Sequence, residues 1–182
     1  MEVFFIGDTH FGHKNIITFD SVKPFRPFNN IEEHDEELVK RWNSVVGPKD
    51  IVWHLGDVCF GLRNLHHIGR CNGDKRLVQG NHDMYGAAEY LKYFTKIYGA
   101  VGYKGAILTH VPVHPCQLEN RFYLNIHGHL HTNNVMTPSK GTHGNLVKDS
   151  RYVNVSCEQI NLTPIPYDEV LNFWKPKANI KV

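Results

Sequence analysis

Histidine, aspartate and asparagine side chains follow five short apolar runs in this sequence. The candidate metal ligands among them are Asp8, His10, Asp57, Asn81, His110, His129 and His131. Imidazole, carboxylate and amide donors without thiolate suit borderline divalent ions such as Mn²⁺, Fe²⁺, Zn²⁺, Ni²⁺ or Co²⁺ better than they suit the all-oxygen cages that hold Ca²⁺. The residue types therefore predict a site for divalent metal ions.

The five apolar runs have the composition of short buried strands, rich in β-branched and aromatic residues. They span residues 3–6, 51–55, 76–79, 106–109 and 122–126. Helical patterns alternate with them: the clearest spans residues 30–46, with Asn30 as cap and Glu33 completing a capping box, and shorter ones are predicted at 62–68, 87–94 and 167–174. This alternation predicts an α/β fold, in which catalytic groups gather at the carboxyl ends of strands.

Two pairs of candidate ligands have a spacing of two residues, Asp8 with His10 and His129 with His131. In extended backbone this spacing directs both side chains to one face, so each pair is expected to reach the same cleft. The ligands suffice for two ions, with Mn²⁺ favoured. Two ions roughly 3.5–4 Å apart would bind a phosphoryl group, generate a nucleophile at neutral pH and stabilise in-line displacement.

The length and composition indicate a single globular domain. A length of 182 residues predicts a single domain over residues 1–182, and 41% hydrophobic with 21% charged residues is typical of a globular protein. A net charge of +2 and the absence of a dense Lys/Arg run give no strong signal for stable nucleic-acid binding.

The start carries no signal-peptide pattern and no membrane span, so we expect a cytoplasmic protein with reduced cysteines. The oligomeric state is left open.

The motifs GDTH, GD, GNHD, H and GHLH, in that order, resemble the complete signature of the calcineurin-like metallophosphoesterase superfamily. Longer segments are similar to its small, single-domain bacterial and phage members, among them DTHFGHKNII, HLGDVCFG, LVQGNHD and YVNVSCEQINLTPIPYDEV. The likeness spans nearly the whole chain. It implies two mixed β-sheets packed as a sandwich flanked by helices, with a dinuclear metal centre at the strand ends.

The resemblance also implies roles for individual residues. One metal would be held by Asp8, His10, Asp57 and His131, and the second by Asn81, His110 and His129, with Asp57 bridging the two. His82 would contact the scissile phosphate and protonate the leaving oxygen, and Asp83 would orient or tune its imidazole. One departure concerns Phe60 and Gly61, which stand where many members have Asp/Asn-Arg. It leaves open what replaces the contacts of that arginine.

Four more residues are predicted to contact the substrate: His13, Asn15, Arg26 and His114. Each has an ordinary alternative. Asn15 can cap a helix, Arg26 can be a surface arginine, and His114 can be an exposed loop residue. The strand residues His54 and His127 are expected to be core groups or to support the metal ligands.

The leading functional hypothesis is a metal-dependent phosphodiesterase that acts on small or nucleotide-type diesters. A general acid such as His82 helps most when the leaving group is a poor alkoxide, and compact relatives often cleave diesters. Phosphomonoesterase and nuclease activities are alternatives within the hydrolases. A non-catalytic, metal-binding interaction module is an alternative from another class.

Overall fold

Two mixed β-sheets organise the part of the chain that the computed structural model describes, residues 1–139 and 144–173. The first is a five-stranded sheet with the order β11-β1-β2-β3-β4. Its strands are β1 (Val3–Ile6), β2 (Ile51–His54), β3 (Asp74–Val78), β4 (Lys96–Tyr98) and β11 (Ile165–Pro166). Strands β1 to β4 pair in parallel and β11 pairs antiparallel to β1. The polar residues that follow β1, β2 and β3 therefore emerge at one edge of the sheet.

The second sheet has four strands in the order β10-β7-β6-β5. They are β5 (Val101–Tyr103), β6 (Ala106–Leu108), β7 (Leu124–His127) and β10 (Tyr152–Asn154). The pairs β6 with β7 and β7 with β10 are parallel, and β5 with β6 is antiparallel. A separate antiparallel pair is formed by β8 (Met136–Pro138) and β9 (Leu146–Lys148). The five predicted strands are confirmed as β1, β2, β3, β6 and β7.

The helices lie near their predicted positions, with shorter bounds in places. They are α1 (Ile31–Val45), α2 (His66–Gly69), α3 (Ala87–Tyr90) and α4 (Tyr167–Phe173), with 3₁₀ helices at Lys14–Ile17, Leu62–Leu65 and Pro115–Leu118. Asn30 caps α1 by accepting a hydrogen bond from the Glu33 amide at 2.8 Å. Glu33 in return accepts from the Asn29 amide at 3.1 Å, one residue before the predicted partner. The predicted end of the last helix, Trp174, lies outside the described residues.

A continuous hydrophobic core joins the two large sheets. It contains Phe5 and Val52 from the first sheet with Leu108 and Ile126 from the second, all fully buried. The sheets also meet where the Gly7 amide donates to a carbonyl just beyond β10, at 2.8 Å. The predicted α/β sandwich of two mixed sheets is confirmed. Of the helices within the described ranges, none is both long and apolar enough to cross a membrane.

Candidate metal centre

Five of the predicted ligands occupy a backbone conformation that residues other than glycine rarely adopt. The φ angles are +57° at Asp8, +50° at His10, +56° at Asp57, +69° at His129 and +48° at His131. Left-handed conformations are uncommon outside glycine, although Asp and His adopt them more readily than most residues, and they cluster at functional sites. They also correct the expectation that the two ligand pairs lie in extended backbone. The side chains converge because the chain turns sharply at each ligand.

A buried carboxylate fixes the loop that carries Asp57. Asp83 accepts hydrogen bonds from the backbone amides of Asp57 at 2.8 Å, Val58 at 2.9 Å and Gly80 at 2.8 Å. Asp83 was predicted to orient the His82 imidazole. In the structure, its carboxylate accepts hydrogen bonds from these three backbone amides. The role of Asp83 in the structure is therefore to tie the loop after β2 to the loop after β3.

The first group of converging ligand atoms comes from Asp8, His10 and His131, which lie within 4.8 Å of one another. Both ring nitrogens of His10 are buried and have no hydrogen-bond partner. Burial, reinforced by the charges of Arg26 and His131, lowers the pKa of His10 well below its ordinary value. A neutral imidazole with an unused lone pair in this place fits a metal ion, because an unpaired buried polar atom is otherwise costly.

Glu158, which is not among the residues predicted from the sequence, orients His131 within this group. Its Oε1 atom lies 3.1 Å from His131 Nδ1 and accepts the Nε–H of Arg26 at 2.7 Å. Burial raises the pKa of Glu158, but Arg26 and His131 outweigh burial and hold the pKa at about 2. With its Nδ1 proton held by this carboxylate, His131 directs Nε2 toward Asp8 Oδ1, 4.0 Å away. A carboxylate behind a histidine is the usual arrangement at metal sites.

Arg26 lies beneath the centre and is fully buried. Its guanidinium donates to the Asp8 carbonyl at 2.6 Å and to the Thr9 carbonyl at 3.1 Å, in addition to its bond to Glu158. This position differs from the exposed one that a substrate contact requires. Arg26 instead links the loop that carries Asp8 to the carboxylate behind His131.

The second group consists of Asp8, Asp57 and His110, again within 4.8 Å of one another. His110 Nδ1 donates to the Leu55 carbonyl at 2.7 Å, so its Nε2 atom faces the centre. That atom lies 3.4 Å from Asp57 Oδ2, 2.9 Å from Asn81 Oδ1 and 3.2 Å from His129 Nδ1. Burial lowers the pKa of His110, but the hydrogen bond to Asp57 and the charges of Asp8 and Asp57 outweigh burial and raise it to about 9. The surroundings thus favour positive charge at this point.

Asp57 stands between the two groups. Its Oδ2 atom lies 3.6 Å from His10 Nε2 and 3.4 Å from His110 Nε2, so a single oxygen faces one histidine of each group. The other oxygen accepts from the His82 amide at 2.9 Å. Asp8 is the residue that belongs to both groups, whereas the resemblance assigned it to the first metal alone. Burial raises the pKa of Asp8 to about 6.

The predicted catalytic and substrate-contacting residues occupy different surroundings. His82 is exposed, and its ring lies 5.8 Å from that of His10. His13 is half-buried beside the centre, with its ring 5.5 Å from that of His10. Asn15 is exposed on the 3₁₀ helix Lys14–Ile17. His114 is exposed, and its Nδ1 atom accepts from the Cys116 amide at 3.3 Å, which is a local cap.

Comparisons with known proteins find a relative and a solved structure that match nearly the whole chain. No protein-family model matches it. The uncharacterized protein MJ1445 of Methanocaldococcus jannaschii is 33% identical over 179 residues, covering 93% of this chain and 89% of that protein. The gene 66 protein of Mycobacterium phage L5 is 40% identical over 84 residues, 43% of this chain and 38% of that protein. In structure, the protein of unknown function AQ665 from Aquifex aeolicus matches with a TM-score of 0.70 and 25% identity, over 94% of this chain and 98% of that one.

Proposed function

We propose that the chain, which belongs to the same family as the uncharacterized protein MJ1445, is a metal-dependent phosphoester hydrolase with a dinuclear centre. The observation that carries the proposal is the position of Asp57, whose Oδ2 atom faces His10 on one side and His110 on the other. One oxygen shared between two ligand groups is the arrangement that a bridged pair of ions needs. Such a pair is a recurrent clamp for phosphoryl transfer.

The bound ions and the chain's own residues would have separate roles in the reaction. Divalent ions bound to the two groups would neutralise phosphoryl charge and activate water for attack. Asp57 holds the loop of His82 in place, because its Oδ1 atom accepts the His82 amide. The exposed His82 ring stands beside the first group, where it can donate a proton to the leaving oxygen. Such a donor assists cleavage of esters whose alkoxide leaves poorly without a proton, and phosphodiesters of alcohols and nucleosides are among them.

The alternative functions predict different results when the protein is assayed against a panel of phosphoesters. A phosphomonoesterase would prefer monoesters in a substrate panel, and a nuclease would cleave polynucleotides better than dinucleotides. A non-catalytic module would bind metal and hydrolyse nothing. The exposed His82 ring beside the first group favours catalysis over the last alternative, because metal binding alone needs no proton donor.

Binding of Mn²⁺ should release protons, which tests the centre without any activity assay. A ligand nitrogen must be unprotonated, so His110, with its pKa raised to about 9, should lose about one proton per chain at about pH 7.5. Affinity for Mn²⁺ should therefore rise with pH up to about 9. At about pH 5.5 the release should be larger, because Asp8, with its pKa near 6, is then partly protonated as well.

The measurement is calorimetric titration of the protein with Mn²⁺ in pairs of buffers that differ in ionisation enthalpy. Two bound ions with proton release are expected, and the loaded protein should hydrolyse diesters. Binding without proton release would contradict the place of His110 in the centre. Absence of binding would overturn the proposal itself.

Glu158→Gln should weaken one ion more than the other. Glu158 contacts His131 of the first group, whereas His110 of the second group is held by a backbone carbonyl. Loss of a carboxylate behind a metal-binding histidine typically lowers metal affinity about 10- to 100-fold. Breaking the buried ion pair with Arg26 should also lower the free energy of unfolding by about 3–5 kcal/mol.

The matched control is Glu169→Gln, which removes an exposed carboxylate on the first turn of α4. Titration calorimetry of both variants, below their unfolding temperatures, separates the two ions. A selective loss in Glu158→Gln with an unchanged control is expected. Equal weakening of both ions would mean that Glu158 acts on the fold as a whole rather than on His131.

A further inference from the structure

Aromatic side chains line one side of the candidate metal centre, and the proposed chemistry does not use them. The His13 ring stacks on the half-buried Phe60 ring, with a centroid distance of 3.9 Å and an interplanar angle of 14°. Phe19 meets His13 edge to face at 6.0 Å and is 46% exposed. We call these three side chains the aromatic wall. A partly exposed aromatic cluster beside a polar site offers a flat surface to a ligand.

The aromatic wall is held at a fixed place relative to the centre. The Phe60 ring lies 5.0 Å from the His82 ring and 5.7 Å from the His10 ring. Its backbone amide donates to the Phe11 carbonyl at 2.9 Å, which joins it to the loop that carries His10. Gly61 follows in the left-handed region, with φ of +82°, and turns the chain away directly after Phe60. A group attached to a phosphate in the centre would therefore meet the wall.

We propose that the aromatic wall recognises a flat aromatic group of the substrate, a nucleobase or an aryl ring, on the ester oxygen that is not the leaving group. The inference rests on the proposed function, because it needs a phosphoester bound at the metal centre. Stacking suits this task, since every nucleobase has a flat π-face and the contact needs no hydrogen-bond partner. The substrate class is then an aromatic phosphodiester, such as a nucleoside diester.

Diesters that share one leaving group isolate this contact. Thymidine 5′-(4-nitrophenyl) phosphate, cyclohexyl 4-nitrophenyl phosphate and methyl 4-nitrophenyl phosphate all release nitrophenolate, so His82 affects them alike. We expect the wild type, loaded with Mn²⁺, to show the highest kcat/KM for the thymidine ester. In Phe60→Leu the ratio of the thymidine ester to the methyl ester should fall about tenfold, the size of one base–aromatic stack. Phe60→Trp should retain the preference.

The matched control is Phe173→Leu, which changes an exposed phenylalanine at the end of α4 and should leave the ratio as it is. Equal losses on all three esters in Phe60→Leu would overturn the inference, because Phe60 would then act through His10 or His82. A wild type that treats the cyclohexyl and thymidine esters alike would overturn it too, since bulk and not flatness would be recognised. Hydrolysis of none of the esters would instead contradict the proposed function.

Discussion

Asp57→Asn should abolish hydrolysis and weaken both metal ions while the fold persists. Asp57 Oδ2 faces both His10 and His110, so removing its charge affects both groups at once. Loss of a supporting residue behind a ligand already lowers metal affinity about 10- to 100-fold, and loss of the shared ligand should cost at least as much for each ion. We expect kcat/KM to fall by at least about 10³-fold.

Asparagine is the informative replacement because it preserves what Asp57 does for the backbone. It tolerates the φ of +56° better than most residues, and its side-chain oxygen can still accept the His82 amide. Asp20→Asn is the matched control, since Asp20 is exposed. Metal content, calorimetric affinity and the unfolding temperature of the metal-free protein are the measurements. Loss of a single ion with the other retained would refute the bridging position of Asp57.

The strand ends at which the candidate ligands lie could be predicted from the sequence because their signals are local. β1 spans the residues predicted for it, Val3–Ile6, and Asp8 follows it within two residues. A buried parallel strand is a short run of β-branched and aromatic residues, and the polar residues after it must lie at the sheet edge. The two-residue strand β11 (Ile165–Pro166) is too short to carry a periodic pattern, and it was not predicted.

The buried ion pair that supports the candidate metal centre could not be predicted, because its two residues are far apart in the sequence. Arg26 and Glu158 are 132 residues apart, and a charged residue in a loop gives no sign that it will be buried. Only the folded chain brings them together beneath Asp8. In the sequence, Glu158 stands out only as the single charged residue of the segment YVNVSCEQI. The left-handed backbone at Asp8 and Asp57 could not be predicted from the sequence either, because neither residue type requires a positive φ.

His82→Ala should separate the chemistry of proton transfer from metal binding. The His82 side chain is exposed, and its link to Asp57 is through the backbone amide, which alanine retains. Both ions should therefore stay bound, in contrast to Asn81→Ala, which removes an oxygen 2.9 Å from His110 Nε2 and should weaken the second ion. A positioned general acid contributes about 10²–10⁴-fold to the rate, so the loss on a diester with an alkyl or nucleoside leaving group should lie in this range.

The loss in His82→Ala should shrink when the leaving group needs no proton. A nitrophenolate leaves without protonation, so the decrease in kcat/KM on a 4-nitrophenyl diester should be several-fold smaller than on an alkyl diester at equal metal occupancy. His66→Ala, which removes an exposed histidine on α2, controls for the loss of an imidazole elsewhere. Equal losses on the two esters would mean that His82 binds the phosphate and does not protonate the leaving oxygen. Loss of metal in His82→Ala would place its ring among the ligands. The proton donor would then have to be sought among the other residues beside the centre, beginning with His13.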